Sequence, residues 1–220
     1  MPKPKIYHTV SLGTLCLTAQ FFQDIGMKPC SYPYDWIFSN IDIVIDTLSN
    51  DFESFLDPNL YTSIEHPCCG HTKYGRIFNH HDPMKSMEDY AYLQRCVARL
   101  YGLFQYPEKK LLMMVNVNQT PMPLEKIELL NDILQKLTRN FEFLFVQHAI
   151  KEKESDQPWI ETLYEKDNLK VAVLTTQSEP DGVYFKEDSD NNLLKDFVLE
   201  LYDFVQPTTE GEESLTMKRN

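Results

Sequence analysis

Glycine is scarce in this chain, 7 of 220 residues, and those present form neither G-x-G-x-x-G nor G-x-x-x-x-G-K-[ST]. A glycine-rich cradle for nucleotide phosphates is therefore not expected. No apolar run approaches the roughly 20 residues needed to cross a bilayer, so a membrane span is not expected. The opening MPKPKIYHTV has two lysines but no apolar segment ahead of the first strand, so no secretory signal is read and the cytosol is the expected location. Positive charge is in short supply too: 21 Lys and Arg stand against 33 Asp and Glu, a formal net charge of −12. Such a chain repels phosphate backbones, which argues against nucleic acid as a partner. Cysteine is present in an odd number, five. In a cytosolic setting that favours free thiols, a metal site or catalysis over a disulfide framework.

What is present reads as an α/β protein. Ile6, Tyr7, Val10 and Leu12 suggest a strand, and Leu15, Ala19 and Phe22 recur at helical spacing. A structured loop follows through residues 24–40, where Gly26, Pro29 and Pro33 break the periodicity around Tyr32, Tyr34 and Trp36. Ile41, Val44, Ile45 and Leu48 predict a helix, residues 57–83 predict long irregular loops, and 86–104 predict a second helix. The remainder alternates: strand 109–119, helix 123–140, strands 142–150 and 168–176, helix 191–205. Near-continuous apolar strands between amphipathic helices predict a three-layer α/β domain over 1–207, with a mostly parallel sheet flanked by helices. Residues 208–220, acidic and poor in apolar side chains, predict a mobile tail.

Parallel sheets hold ligands at the carboxyl ends of their strands. The predicted strands end in Ser11, Gly13 and Cys16, in Asn116, Asn118 and Gln119, in His148, and in Thr175 and Thr176. Cys16 falls where the first strand meets the first helix, so its thiol would face unpaired backbone N–H groups and the positive end of the helix dipole. This makes it a candidate nucleophile; the competing reading is a small buried hydrophobe. A cysteine nucleophile needs an imidazole base and a group to orient the ring. His80 and His81 in IFNHHD are candidates for the base, Asp35 and Asp82 for the orienting carboxylate, and His148 is a rival base. Asp35 lies between aromatics in a proline-bounded loop and should not be buried alone, so a histidine, Arg95 or Arg99 is its expected partner. EHPCCGHTKYGRIFNHHD gathers His66, Cys68, Cys69, His71, His80 and His81. The paired ligand spacing of structural zinc modules is missing there, so neither a metal nor another cofactor is expected.

The segment SLGTLCLTAQFFQDIGMKPCSYPYDWIFSN resembles the opening signature of a family described as papain-like cysteine peptidases of unassigned function, found in bacteria and large DNA viruses. That signature combines Ser-Leu-Gly, a cysteine three residues later, and Ser-x-Pro-Phe-Asp-Trp. Here the last part is Ser31 to Trp36, with Tyr34 in place of Phe. Phe78-Asn79-His80 and the arginines Arg95 and Arg99 match later family elements, and the likeness covers roughly residues 8–105. The resemblance implies Cys16 as nucleophile with His80 or His81 as its partner. It also implies a histidine on an antiparallel sheet, whereas the second half of this chain reads as parallel.

Two functions from different classes follow. In a thiol hydrolase or acyl/peptidyl transferase acting on a peptide or small polar substrate, Cys16 attacks a carbonyl, His80 or His81 moves the proton and Asp35 orients the ring. Ser11, Gly13, Trp36, Arg95 and Arg99 would bind substrate, with backbone N–H groups after Gly13 holding the oxyanion. In a non-catalytic binding module for a glycan or small anionic ligand, SYPYDW is an aromatic platform, Arg95 and Arg99 clamp the anion, and Cys16 merely packs.

Overall fold

The computed structural model describes residues 2–65, 68–118, 120–150 and 157–206. The predicted tail 208–220, His66 and Gln119 lie outside the described residues. In chain order the elements are β1 (Lys5–Ile6), β2 (His8–Ser11), α1 (Leu17–Asp24), α2 (Ile41–Ser49), β3 (Tyr61–Ser63), β4 (Cys69–His71), β5 (Gly75–Phe78), α3 (Met87–Phe104), β6 (Lys110–Asn116), α4 (Leu124–Leu137), β7 (Phe141–Ile150), β8 (Trp159–Lys166), β9 (Leu169–Thr176), α5 (Asp188–Leu201) and β10 (Asp203–Phe204).

The central sheet has the order β2-β6-β7-β9-β8. Its first four strands are parallel and β8 returns antiparallel to β9. Every residue of β6 is buried, as a strand covered on both faces requires. Because side chains alternate, each strand serves two cores. Val10, Leu112, Met114, Phe143 and Phe145 pack with α2, α3 and α4. Leu111, Met113, Val115, Leu144 and Val146 pack with α1 and α5 on the other face. This is the three-layer arrangement predicted from the sequence.

Local signals explain the helix ends. Asn40 accepts a hydrogen bond from the Ile43 N–H at the start of α2, and Ser86 does the same for Asp89 at the start of α3. By contrast, the N-cap of α1 is Cys16, which makes no side-chain capping bond.

Two features differ from the sequence expectation. Within 57–83, expected to be irregular, β3, β4 and β5 form a small antiparallel sheet. Strands of three or four residues interrupted by turns carry no readable alternation. The antiparallel β8 was not foreseen either: it is an edge strand, with Trp159 43% and Leu163 60% exposed. It lacks the apolar run that marks its buried neighbours. Among the described residues, no helix is long and apolar enough to cross a membrane.

Candidate active site

The turn from β2 into α1 is tied to the carboxyl end of β6. Leu12 N–H donates to the Met113 carbonyl at 2.8 Å, Thr14 Oγ1 to the Val115 carbonyl at 3.1 Å, and Thr18 Oγ1 to the Gly13 carbonyl at 3.0 Å. Gly13 has φ +94°, and a Cβ there would lie 1.9 Å from Ser39 Oγ, so glycine is required for both backbone and space. These constraints deliver Cys16 to the N-cap of α1. Its Sγ lies 3.6 Å from His80 Nε2.

His80 lies two residues past β5, so a histidine just beyond the small antiparallel sheet approaches a thiol at the turn that leaves the parallel one. It is exposed, whereas Cys16 is 6% exposed. Burial pushes the Cys16 thiol above its ordinary value, and the charge of Asp35 adds to the effect. Burial thus opposes the stabilisation of a thiolate that the helix start is expected to give.

The other candidates separate. His81 Nδ1 lies 3.1 Å from Asp89 Oδ1, and its ring stacks on Tyr92 at 4.3 Å. Asp89 Oδ2 also accepts from the Asp82 N–H at 2.8 Å, so this carboxylate braces the segment that carries His80. Asp82 caps the following turn through Lys85 N–H at 3.2 Å and ion-pairs with Lys85 Nζ at 3.3 Å. His148 is fully buried, with Nε2 2.7 Å from Thr176 Oγ1, and burial lowers its pKa. It serves the sheet interior. Asn116 Nδ2 donates to Gln147 Oε1 at 2.9 Å along the same edge.

Asp35 requires a correction. Its carboxylate is 1% exposed, ion-paired with Lys28 and bonded to the Tyr32 N–H at 2.7 Å. Among the described residues it bonds to no histidine, Arg95 or Arg99. Burial pushes its carboxyl up, against the opposing pull of Lys28. Lys28 escaped sequence reasoning, although a lysine seven residues ahead of a loop-bound acid was the available signal. Among the described residues, His80 has no hydrogen-bond partner besides Cys16.

Of the proposed substrate contacts, Ser11 Oγ accepts from Gly13 N–H at 3.2 Å and is buried, so it shapes the turn. Trp36 Nε1 donates to Ser31 Oγ at 3.2 Å, and Lys28 Nζ sits 5.4 Å from the Trp36 ring centre. Arg99 donates to the Ser31 carbonyl at 3.4 Å, while Arg95 is exposed. The aromatic platform of the binding-module reading does not form: Tyr32 and Tyr34 are 7% and 0% exposed, and Tyr34 Oη lies 2.6 Å from Thr47 Oγ1. Their rings were needed for the core. The histidines and cysteines of 65–82 scatter as well. His71 bonds to the Ser54 carbonyl at 2.9 Å, and Cys68 Sγ accepts from Arg76 at 3.1 Å. Among the described residues, no group of three or more His, Cys, Asp or Glu is arranged to hold a metal ion.

Comparison with known proteins agrees with the resemblance read from SLGTLC and SYPYDW. Residues 7–76 match the model of a family described as "Putative papain-like cysteine peptidase". The matched segment contains Cys16 and Asp35 and ends four residues before His80. "Uncharacterized protein R408" of Acanthamoeba polyphaga mimivirus is 26% identical over 196 residues, spanning 74% of this chain and 87% of the viral one. No solved structure matches the chain.

Proposed function

We propose that this protein is a cysteine-dependent hydrolase, or a related acyl or peptidyl transferase, in which Cys16 is the nucleophile and His80 the general base. The observation that carries the reading is the 3.6 Å approach of Cys16 Sγ to His80 Nε2. Packing alone does not require an exposed imidazole to meet a buried thiol at a helix start. The family match over 7–76 supports the same class of chemistry.

The raised thiol shapes the mechanism. Sγ stays protonated until a carbonyl carbon of the substrate approaches. His80 Nε2 then takes the proton as the S–C bond forms. In this reading the N–H groups at the start of α1 receive the oxygen that becomes negative. His80 returns the proton to the leaving amine or alcohol, which departs with the electrons of the broken bond. Water, or an acceptor nucleophile in a transferase, then attacks the thioester; His80 takes its proton and Cys16 is regenerated as the thiol.

An electrophilic probe tests this without a known substrate. A peptidyl vinyl sulfone should modify Cys16, as located by mass spectrometry. Modification should vanish in Cys16→Ser and slow about 10²-fold or more in His80→Ala, within the range of general base catalysis. Modification confined to Cys30 or Cys96, or a rate indifferent to His80, would remove the reading.

A further inference from the structure

We propose that Lys28 and Asp35 are positioning residues for the Cys16 and His80 pair: their buried ion pair anchors a strap, residues 31–39, bonded to both the turn that carries Cys16 and the strand that leads to His80. The proposal rests on the hydrolase reading above.

Cys16 and His80 lie 64 residues apart on connections that follow strands of two different sheets, β2 and β5, so their encounter depends on whatever joins those sheets. Residues 31–39 make that connection directly. At one end Ser39 N–H donates to the Thr14 carbonyl at 2.9 Å, while Ser39 Oγ occupies the space beside Gly13. A short way back, Phe38 N–H donates to the Ile77 carbonyl at 2.8 Å and Ile37 pairs with Phe78, two residues before His80. The strap therefore grips both partners through backbone bonds within three consecutive residues.

Its other end is held by charge. Asp35 receives Lys28 and the Tyr32 N–H, and Lys28 Nζ also donates to the Cys30 carbonyl at 2.9 Å. The Lys28 side chain is 7% exposed, and Trp36 lies beside its ammonium. A buried pair gives little net stability compared with apolar residues of similar volume, whereas its directional bonds specify one arrangement. Packing of the nearby rings would keep the loop folded, but the ion pair selects its register. The titratable groups that feel the pair are Cys16 from the start of α1, Tyr32 from the strap itself, and Tyr92 and Cys96 from α3; Arg99 of α3 lies next in line, acting on Tyr32 and Cys96. The negative charge of Asp35 reaches Cys16 and helps hold its thiol up.

The test measures alkylation of Cys16 by iodoacetamide across pH, with the modified peptide quantified, in chains with and without His80→Ala. The ratio of the two rates reports how well His80 is placed. Lys28→Met/Asp35→Leu removes both charges and leaves no unpaired buried ion, and Asp35→Asn provides a near-isosteric second variant. In the double variant the His80-dependent acceleration should fall ten- to a hundredfold, as expected for a displacement of about 1 Å, with a cooperative melt retained. In Asp35→Asn the same acceleration should fall, because the neutral amide no longer holds the Lys28 ammonium by charge. A merely structural role would change the melting temperature and leave the acceleration in place. An undiminished His80 acceleration in both variants overturns the proposal alone. Absence of any His80 acceleration in the native chain overturns the hydrolase reading and the proposal with it.

Discussion

His80 and His81 are adjacent in sequence, yet only His80 Nε2 reaches Cys16 Sγ, at 3.6 Å, while His81 Nδ1 lies 3.1 Å from Asp89. The two rings point to different partners because His81 is stacked on Tyr92 of α3. Their substitutions should therefore separate. His80→Ala should slow probe labelling of Cys16 and leave the melting temperature nearly unchanged, since His80 is exposed. His81→Ala should leave labelling within a few-fold and cost about 1 kcal/mol through the lost stack and hydrogen bond. Equal labelling losses from both would mean that the pair acts as one unit.

Gly13 offers a test of the turn that delivers Cys16. Gly13→Ala adds a Cβ 1.9 Å from Ser39 Oγ in a backbone with φ +94°. The combined cost should be about 3 kcal/mol or more, from conformational strain plus overpacking. Adding Ser39→Gly removes the steric part, so denaturant unfolding should show partial recovery. Full recovery would show that the positive φ carries no penalty here.

Lys110 is fully buried, and its ammonium donates to the carbonyls of Tyr106, Glu108 and Arg139 at 2.5, 3.0 and 3.2 Å. Those carbonyls belong to the segment after α3 and the loop after α4. Lys110→Met keeps the bulk but strands the acceptors, and the loss should be on the order of 3 kcal/mol. Urea unfolding midpoints would measure it; a loss under half a kcal/mol would indicate that water replaces the ammonium.

Acid should weaken the fold through His148. Burial holds its folded pKa below the ordinary histidine value of about 6.5. The unfolded chain therefore binds the proton more readily. The contribution of His148 is complete above about pH 6.5 and is lost as pH falls toward the folded value. His71 and His8 are shifted the same way, also chiefly by burial, whereas Asp35, raised by burial, works in the opposite sense. Melting temperatures recorded from pH 8 to 5 should decline below about pH 6.5, less steeply in His148→Gln. Identical slopes in the two chains would assign the decline to other groups.

The two faces of the central sheet were legible in the sequence because side-chain alternation and helical spacing are local properties. That the strands are covered on both faces needed no tertiary information, whereas the register that puts Val10 beside Leu112 and leaves Leu111 and Met113 to the other face did. The same holds for Cys16, whose place at the strand-to-helix corner follows from the apolar rhythm on either side of Gly13. Tertiary structure decided what stands opposite it. Choosing His80 over His81 depended on Tyr92 and Asp89, and pairing Asp35 with Lys28 instead of a histidine depended on how the 31–39 strap closes. Tyr32 and Tyr34 look like exposed aromatic surface in sequence, and only packing against α2 and α3 showed them to be core. The physical reason is common to all of these. Periodicity reports which face a residue takes, but a partner dozens of residues away is chosen by chain crossings and desolvation that no local pattern encodes.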